Sequence, residues 1–208
     1  MLNKIKIAIK TYGYKGCIIN SFLYINTLLF YKNARLIRLP IEIRGKKFID
    51  FGKKLTTGKN CRIEVTVFDI DYSKKQKIIE FGNNIVINNS VHIGARYSVK
   101  IGNNVLIASN VFISDHNHGN YSDPAGHSSP LTAPNKRPLS GSAVNIEDDV
   151  WIGEFTAILP GVNIGKGCII GSMSVVTKSI PPYSIAVGTP ARVIKKYNFE
   201  TQKWEKVI

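Results

Sequence analysis

From residue 144 to residue 186 the same kind of side chain returns at every sixth position: Val144, Val150, Thr156, Val162, Cys168, Ser174, Ile180 and Ala186. Two places after most of these stands a second apolar residue: Ile146, Ile152, Ile158, Ile164, Ile170 and Val176. Glycine often follows at once, as at Gly153, Gly165 and Gly171. A period of six suits neither a lone helix, with its repeat of about 3.6, nor an ordinary strand, with its repeat of about 2. It suits a solenoid of short flat strands, in which equivalent residues turn inward at each step. Small inward residues (Thr, Cys, Ser, Val) imply a narrow interior.

A weaker step of six begins earlier, at Ile43, Ile49, Leu55, Cys61 and Val67. A polar stretch at 69–77 interrupts it and reads as a loop. The step resumes at Ile79, Ile85 and Val91, slips by two residues, and continues at Val99, Val105 and Val111. Its second places are Phe81, Ile87, Ile93, Ile101, Ile107 and Ile113. With three hexapeptides to a turn, residues 43–189 make five or six turns. Between 114 and 143 the period vanishes in a segment rich in Pro, Gly, Ser and His, which holds His116, His118 and His127, three of the four histidines. Long insertions in regular scaffolds carry function or disorder, so chemistry is sought here. After Ala186, Gly188, Thr189 and Pro190 turn the chain out into a basic tail, 190–208, in which Trp204 is expected to pack back.

Charge divides the 208 residues unevenly. Residues 1–78 carry 17 Lys/Arg against 5 Asp/Glu, whereas residues 79–189 carry 6 against 7, so the net +14 belongs to the ends. No nucleic-acid module accompanies it, and an anionic membrane surface or a phosphate-bearing substrate accounts for a basic end equally well. The apolar run 17–31, broken by Asn20, Ser21, Asn26 and Thr27, falls short of the roughly 20 residues of a spanning helix. As a helix it places Ile18, Phe22, Ile25 and Leu29 on one face, with Lys10, Lys15, Lys32, Arg35 and Arg38 flanking it. Two readings follow for residues 1–42: a helix capping the open end of the coil, which is preferred, or an interfacial helix on anionic lipid. Cys17, Cys61 and Cys168 are too scattered for a disulfide framework, and Cys61 and Cys168 occupy inward positions. With no leader expected, a cytoplasmic protein is expected, with peripheral contact at the inner face of the plasma membrane as the interfacial variant.

Residues 144–194, VNIEDDVWIGEFTAILPGVNIGKGCIIGSMSVVTKSIPPYSIAVGTPARVI, and residues 79–119, IEFGNNIVINNSVHIGARYSVKIGNNVLIASNVFISDHNHG, resemble the hexapeptide-repeat acyltransferases. The closest resemblance is to the branch that O-acetylates sugars: galactoside, maltose and nodulation acetyltransferases and those of capsule or O-antigen. The resemblance implies an all-β solenoid, a left-handed parallel β-helix with a short C-terminal helix. It also implies a homotrimer, acetyl-coenzyme A as donor, a sugar or polysaccharide precursor as acceptor, and no metal.

In such a family a histidine that opens the loop after an apolar step takes the acceptor's proton, and that position is His116 here. An imidazole suits the task because its pKa lies near neutrality. By the same resemblance Asn88, Arg96, His118 and Asp115 fall on the acceptor side. Arg96 stands where some relatives carry an acid, which makes an anionic or phosphate-linked sugar an option. Asp115, next to the histidine, either steers its imidazole or makes a turn. On the donor side, Trp151 resembles the tryptophan lining the pantetheine channel, and Gly153, Gly171 and Ser172 the positions meeting its amides. Thr177 and Lys178 resemble the pair near the adenine, and Arg192 and Lys195 supply charge for the ribose phosphate. His92 projects outward from the coil and reads as structural; His127 reads as a loop residue.

Three other readings are weighed. One is N-acetylation of a nucleotide-linked amino sugar, or O-acetylation of an antibiotic. Another is a zinc carbonic anhydrase on the same coil, which needs three histidines on one metal; His92, His116 and His118 lack that spacing. The last is a non-catalytic solenoid scaffold.

Overall fold

The period of six becomes a coil with three walls. The computed structural model describes residues 2–66, 76–122 and 126–207, so Val67 and most of the polar interruption at 69–77 lie outside the described residues. The first turn holds β1 (Ile41–Arg44), β2 (Ile49–Asp50) and β3 (Thr56–Thr57), and the second β4 (Cys61–Val65), β5 (Ile79–Phe81) and β6 (Val86–Ile87). The third holds β7 (His92–Ala95), β8 (Val99–Ile101) and β9 (Leu106–Ile107). In the fourth, β10 (Phe112–Ser114) is followed by a hairpin of β11 (His116–His118) and β12 (Leu139–Gly141), then β13 (Val144–Ile146) and β14 (Trp151–Ile152). β15 (Ala157–Ile158), β16 (Asn163–Ile164) and β17 (Ile169–Ile170) form the fifth turn. The sixth has β18 (Val175–Val176), a bridge from Ile180 to Ile164, and β19 (Ser184–Gly188).

Equivalent strands pair in parallel from turn to turn, so β1-β4-β7-β10-β15-β18 make a first sheet and β16-β13-β8-β5-β2 a second. The third sheet runs β3-β6-β9-β14-β17-β19 and is extended by β20 (Ala191–Asn198) and β21 (Lys203–Lys206). Where the period is unbroken, Trp151 pairs with Ile169, three hexapeptides on. Across the slip, Ile79 pairs with Val99 and His92 with Phe112, two residues further apart.

Both inward series of the repeat are buried, from Val144 and Ile146 through Val176 and Ala186. Ile63, Ile93, Ile113, Ile158 and Val176 stack one upon another behind the first sheet. Each such side chain contributes about 1.5–3 kcal/mol on burial. The polar members of the series are satisfied locally: Thr156 Oγ1 donates to the Gly153 carbonyl at 2.8 Å, and Ser174 Oγ accepts from Gly188 N at 3.0 Å. Cys61 and Cys168 are free, buried thiols that fill the interior, and burial pushes both above the ordinary cysteine value.

The N-terminal region is helical, but the helix is longer than the apolar run. Helix α1 spans Leu2–Phe30 and is broken at Gly13, whose φ of 67° and ψ of 172° are not helical. From Gly16 on, the stripe turned to the coil is Gly16, Asn20, Leu23, Thr27 and then Tyr31, spaced three and four apart. Leu23 and Thr27 are buried, and Thr27 Oγ1 accepts from Ile37 N at 2.8 Å. Tyr31 meets Phe51 edge-on at 5.6 Å. The opposite stripe, Ile18, Phe22, Ile25 and Leu29, is 72%, 62%, 56% and 72% exposed. The helix therefore meets the coil with its small and polar face. Among the described residues, no helix is long and apolar enough to cross a membrane.

The short C-terminal helix expected after residue 190 is not formed. Residues 191–198 alternate in exposure and pair antiparallel with β19, and β21 pairs back on β20. The third sheet offers an open edge there, and Val193 and Tyr197 suit a pleated, half-buried surface better than a helix. Asn198 Oδ1 accepts from the amides of Glu200 and Thr201 and forms the turn between the strands. Trp204 does pack back, against the ring of Tyr197 at 5.3 Å.

Candidate active site

The two-residue slip builds the site. It enlarges the corner between β7 and β8, and there the amides of Arg96, Tyr97 and Ser98 point toward the next turn. Asp115, directly after β10, receives all three: Arg96 N at 2.9 and 3.1 Å to its two oxygens, Tyr97 N at 2.7 Å and Ser98 N at 2.8 Å. Its side chain is fully buried. Successive amides of this kind form a concavity that favours an anion. Asp115 Oδ1 in turn accepts from His116 Nδ1 at 2.8 Å. An acceptor-only carboxylate on Nδ1 leaves Nε2 as the nitrogen that carries the lone pair and faces away.

The insertion holds this pair from the other side. Its stem pairs His116 with Gly141, Asn117 with Ser140 and His118 with Leu139. Ser142 N donates to the Asp115 carbonyl at 3.0 Å, and Tyr97 Oη donates to the Leu139 carbonyl at 3.0 Å. Ser114 Oγ bonds the His116 carbonyl at 2.9 Å. The His116 side chain is 16% exposed, enough for one edge to reach solvent. Beside the stem, Tyr97, Asn117, Ser140, Leu159 and Thr177 line a cleft of about 510 Å³.

Asp115, expected among the acceptor contacts, is enclosed: with four hydrogen-bond partners and no exposed surface it meets His116 instead. Arg96 contributes its backbone amide, and its guanidinium lies 5.9 Å from the ring of Tyr97. Asn88 is exposed at the corner leading from the third sheet into the first, across the outer face of that sheet from His116. The His118 side chain is exposed while its carbonyl accepts from Tyr121 Oη at 2.7 Å. His127 is exposed in the loop.

The donor-side residues are spread over the coil. Trp151 stands on the outer face of the third sheet, 50% exposed. Gly153, Gly171 and Ser172 lie at corners between the third and first sheets, and Thr177 and Lys178 at the corner after β18. A Cβ on Gly153 would come within 2.6 Å of Ser172 N, so the backbone of the next turn requires glycine there, whereas one on Gly171 would meet only the Val187 side chain, Cγ1 at 2.6 Å. Arg192 and Lys195 lie on β20, which extends the third sheet.

A second ionisable group pairs His92, which the sequence reads as structural, with Glu64, which the sequence does not single out. His92 Nε2 lies 3.0 Å from Glu64 Oε1, and Glu64 Oε2 accepts from Arg62 Nη2 at 2.6 Å. Burial alone would raise the Glu64 carboxyl, but the hydrogen bonds from Arg62 and His92 outweigh it and hold the group below the ordinary value of 4.5. The signal lay in the spacing: Glu64 and His92 both occupy outward places of paired strands, Glu64 opposite Gly94 and His92 opposite Arg62. Among the described residues, no group of three or more His, Cys, Asp or Glu side chains gathers to hold a metal.

The stacked parallel coil thus carries an anchored aspartate–histidine pair at the root of its insertion. A family model for the bacterial transferase hexapeptide (six repeats) matches residues 143–178. WbbJ of Escherichia coli K12, provisionally named a lipopolysaccharide biosynthesis O-acetyl transferase, is 44% identical over 86% of this chain and 88% of its own length. The structure of a maltose O-acetyltransferase from Clostridium difficile 630 is similar at a TM-score of 0.56 and 30% identity, covering 86% of this chain and 87% of that one. The structure of AntD, an N-acyltransferase from Bacillus cereus, shares the fold at a TM-score of 0.65 and 22% identity, covering 82% and 84%. The chain belongs to the hexapeptide-repeat transferase family and is an acyltransferase.

Two outcomes are expected from the carboxylates of this site. Asp115→Asn replaces an anion bonded by three amides with a group that must turn its own N–H₂ toward one of them. The turnover rate is expected to fall about 10²-fold or more, with a lower melting temperature, read by steady-state kinetics and thermal denaturation. Glu64 has a folded pKa below its unfolded one, so its stabilisation is complete above pH 4.5 and is lost as pH falls through the folded value. The melting-temperature gap between wild type and Glu64→Gln is therefore expected to stay level above pH 4.5 and to shrink below it.

Proposed function

We propose that the protein transfers an acetyl group from acetyl-coenzyme A to a hydroxyl of a surface polysaccharide, such as capsule or O-antigen, or of its sugar precursor. The anchored Asp115–His116 pair carries this reading. His116 Nε2 accepts the proton of the acceptor hydroxyl as its oxygen attacks the thioester carbon. The C–S bond then breaks, and His116 returns the proton to the departing sulfur. No covalent enzyme intermediate is needed, because both substrates meet in one ternary complex. Asp115 keeps Nδ1 protonated and stabilises the imidazolium that forms in passing. Backbone N–H groups near Glu154 would hold the developing oxyanion.

Donor placement agrees with a homotrimer of left-handed coils. His116 stands at the corner between the first and second sheets, Trp151 on the third, and the body of the coil intervenes. A neighbouring copy would bring its own Trp151 and Ser172 to the histidine, with Arg192 and Lys195 toward the phosphates, while Thr177 lines the cleft beside the stem of the same copy. The names of WbbJ and of the maltose enzyme support a sugar hydroxyl as acceptor. AntD supports the fold alone, so N-acylation remains the alternative that product chemistry decides.

The outward stripe of α1 supports the interfacial reading of the N-terminal region. Ile18, Phe22, Ile25 and Leu29 are exposed, with Lys10, Lys15, Lys32, Arg35 and Arg38 flanking the stripe. An apolar stripe with basic flanks lies in the plane of an anionic leaflet, where lipid-linked sugars are found.

His116→Ala is expected to lower the rate of coenzyme A release about 10²–10⁴-fold with little change in donor binding. The wild-type product should be a base-labile ester; a base-stable amide would move the assignment to amino sugars. For the N-terminal region, wild type should float with vesicles containing phosphatidylglycerol in low salt and stay down with neutral ones. Phe22→Asp/Leu29→Asp should float with neither, and equal flotation of the two proteins would remove the membrane reading.

A further inference from the structure

On the outer face of the first sheet three side chains gather over Gly94 beside His116. Gly94 lies on β7 between Glu64 of β4 and Ser114 of β10 in the strand register. The atoms nearest to a Cβ built on Gly94 are His92 Nε2 at 3.6 Å, His116 Cε1 at 3.7 Å and Glu64 Oε1 at 4.0 Å. Two imidazoles and a carboxylate thus close over the buried Gly94, and one of them is the proposed base. His92 also lies between the two ends of the acceptor path, since Asn88 opens the corner before β7 and His116 follows β10.

Glu64 decides which proton His92 carries. Its Oε2 is taken up by Arg62 at 2.6 Å and Arg44 at 3.4 Å, while Oε1 faces His92 Nε2 at 3.0 Å. An ionised carboxylate there accepts Nε2–H, which leaves the lone pair on Nδ1. The His92 ring is flanked by Phe112, 39% exposed, with the ring centroids 5.3 Å apart and tilted by 58°. A lone pair beside an exposed aromatic face matches a sugar ring, which offers hydroxyl donors on its rim and C–H groups on its flat side. The charge of Glu64 is met by Arg62 and Arg44, and the lone pair on Nδ1 disfavours an anion at this spot. The charge pattern therefore points to an uncharged ring next to His116, whereas Arg96 taken alone had made an anionic sugar an option.

We propose that His92, held by Glu64, contacts the acceptor: its Nδ1 accepts a hydrogen bond from a second hydroxyl of a neutral pyranose whose reacting hydroxyl lies at His116 Nε2. The inference rests on the proposed function. It assigns His92 to acceptor choice, with no part in moving the transferred proton.

The test uses the intact protein, acetyl-coenzyme A, methyl glucoside, galactoside and mannoside, and the monodeoxy forms of whichever is acetylated fastest. Wild type should lose about tenfold in kcat/KM on one monodeoxy sugar other than the one lacking the acetylated hydroxyl. His92→Phe should raise the acceptor KM about tenfold, leave the KM for acetyl-coenzyme A unchanged, and no longer distinguish that monodeoxy sugar from its parent. His92→Asn, whose amide oxygen can stand in for Nδ1, should recover part of the discrimination, which a purely structural role would not produce. The proposal is overturned if His92→Phe keeps the full wild-type discrimination, or if its loss appears only in kcat and melting temperature. It is also overturned if wild type acetylates uronate or nucleotide-linked sugars and none of the neutral pyranosides, or if no sugar tried is acetylated and none binds to His116→Ala by saturation-transfer NMR. An inactive His116→Ala beside an unaffected His92→Phe would leave the proposed function standing and remove this inference alone.

Discussion

Backbone hydrogen bonds between successive turns are what the whole molecule depends on. Arg62 N reaches the Val91 carbonyl, His92 N that of Val111, and Phe112 N that of Thr156, and the second and third walls repeat the pattern. A parallel ladder of this kind leaves no freedom of register, because a slip by one residue would exchange every inward side chain for an outward one. The buried isoleucines and the ladder therefore enforce each other. Whatever stands at a corner of one turn is presented to a set place on the next.

That constraint explains how a site can arise from residues with little chemistry of their own. Arg96, Tyr97 and Ser98 are bonded through their backbones, at a corner two residues longer than the regular step of the repeat. The next turn places Asp115 over that corner, and the insertion starts directly after it. A carboxylate in the wall of a narrow coil would be costly without partners. Here three amides and one imidazole satisfy it, and the histidine is oriented as a result. The same stacking lines up Glu64, Gly94 and Ser114, so that His92, Glu64 and His116 come together over Gly94.

Much of this was legible in the residues. The period identified the solenoid, both inward series, and a slip at the place where the corner widens. Loss of the period marked the insertion, and the family resemblance singled out His116 at its start. Other features needed distances. Asp115 reads equally well as a turn residue, an acceptor contact or a support for the histidine until its three amide partners are seen. His92 seemed structural because an outward position says nothing about the neighbour in the strand before it, thirty residues earlier at Arg62. The end of the chain misled for a related reason: a basic, mildly apolar tail is compatible with a helix, and only the open edge of the third sheet turns it into strands.

By itself, then, the order of residues determined the coil, its interior and the point where it is interrupted, since these depend on local period and side-chain size. Tertiary structure decided which polar groups meet: Asp115 with the corner of the preceding turn, Glu64 with His92, and α1 with the coil through Leu23 and Thr27 instead of its most apolar stripe. The physical reason is the same in each case. Hydrogen bonding and burial depend on what lies across a sheet or a corner, and in a coil those neighbours are a whole turn apart in the chain.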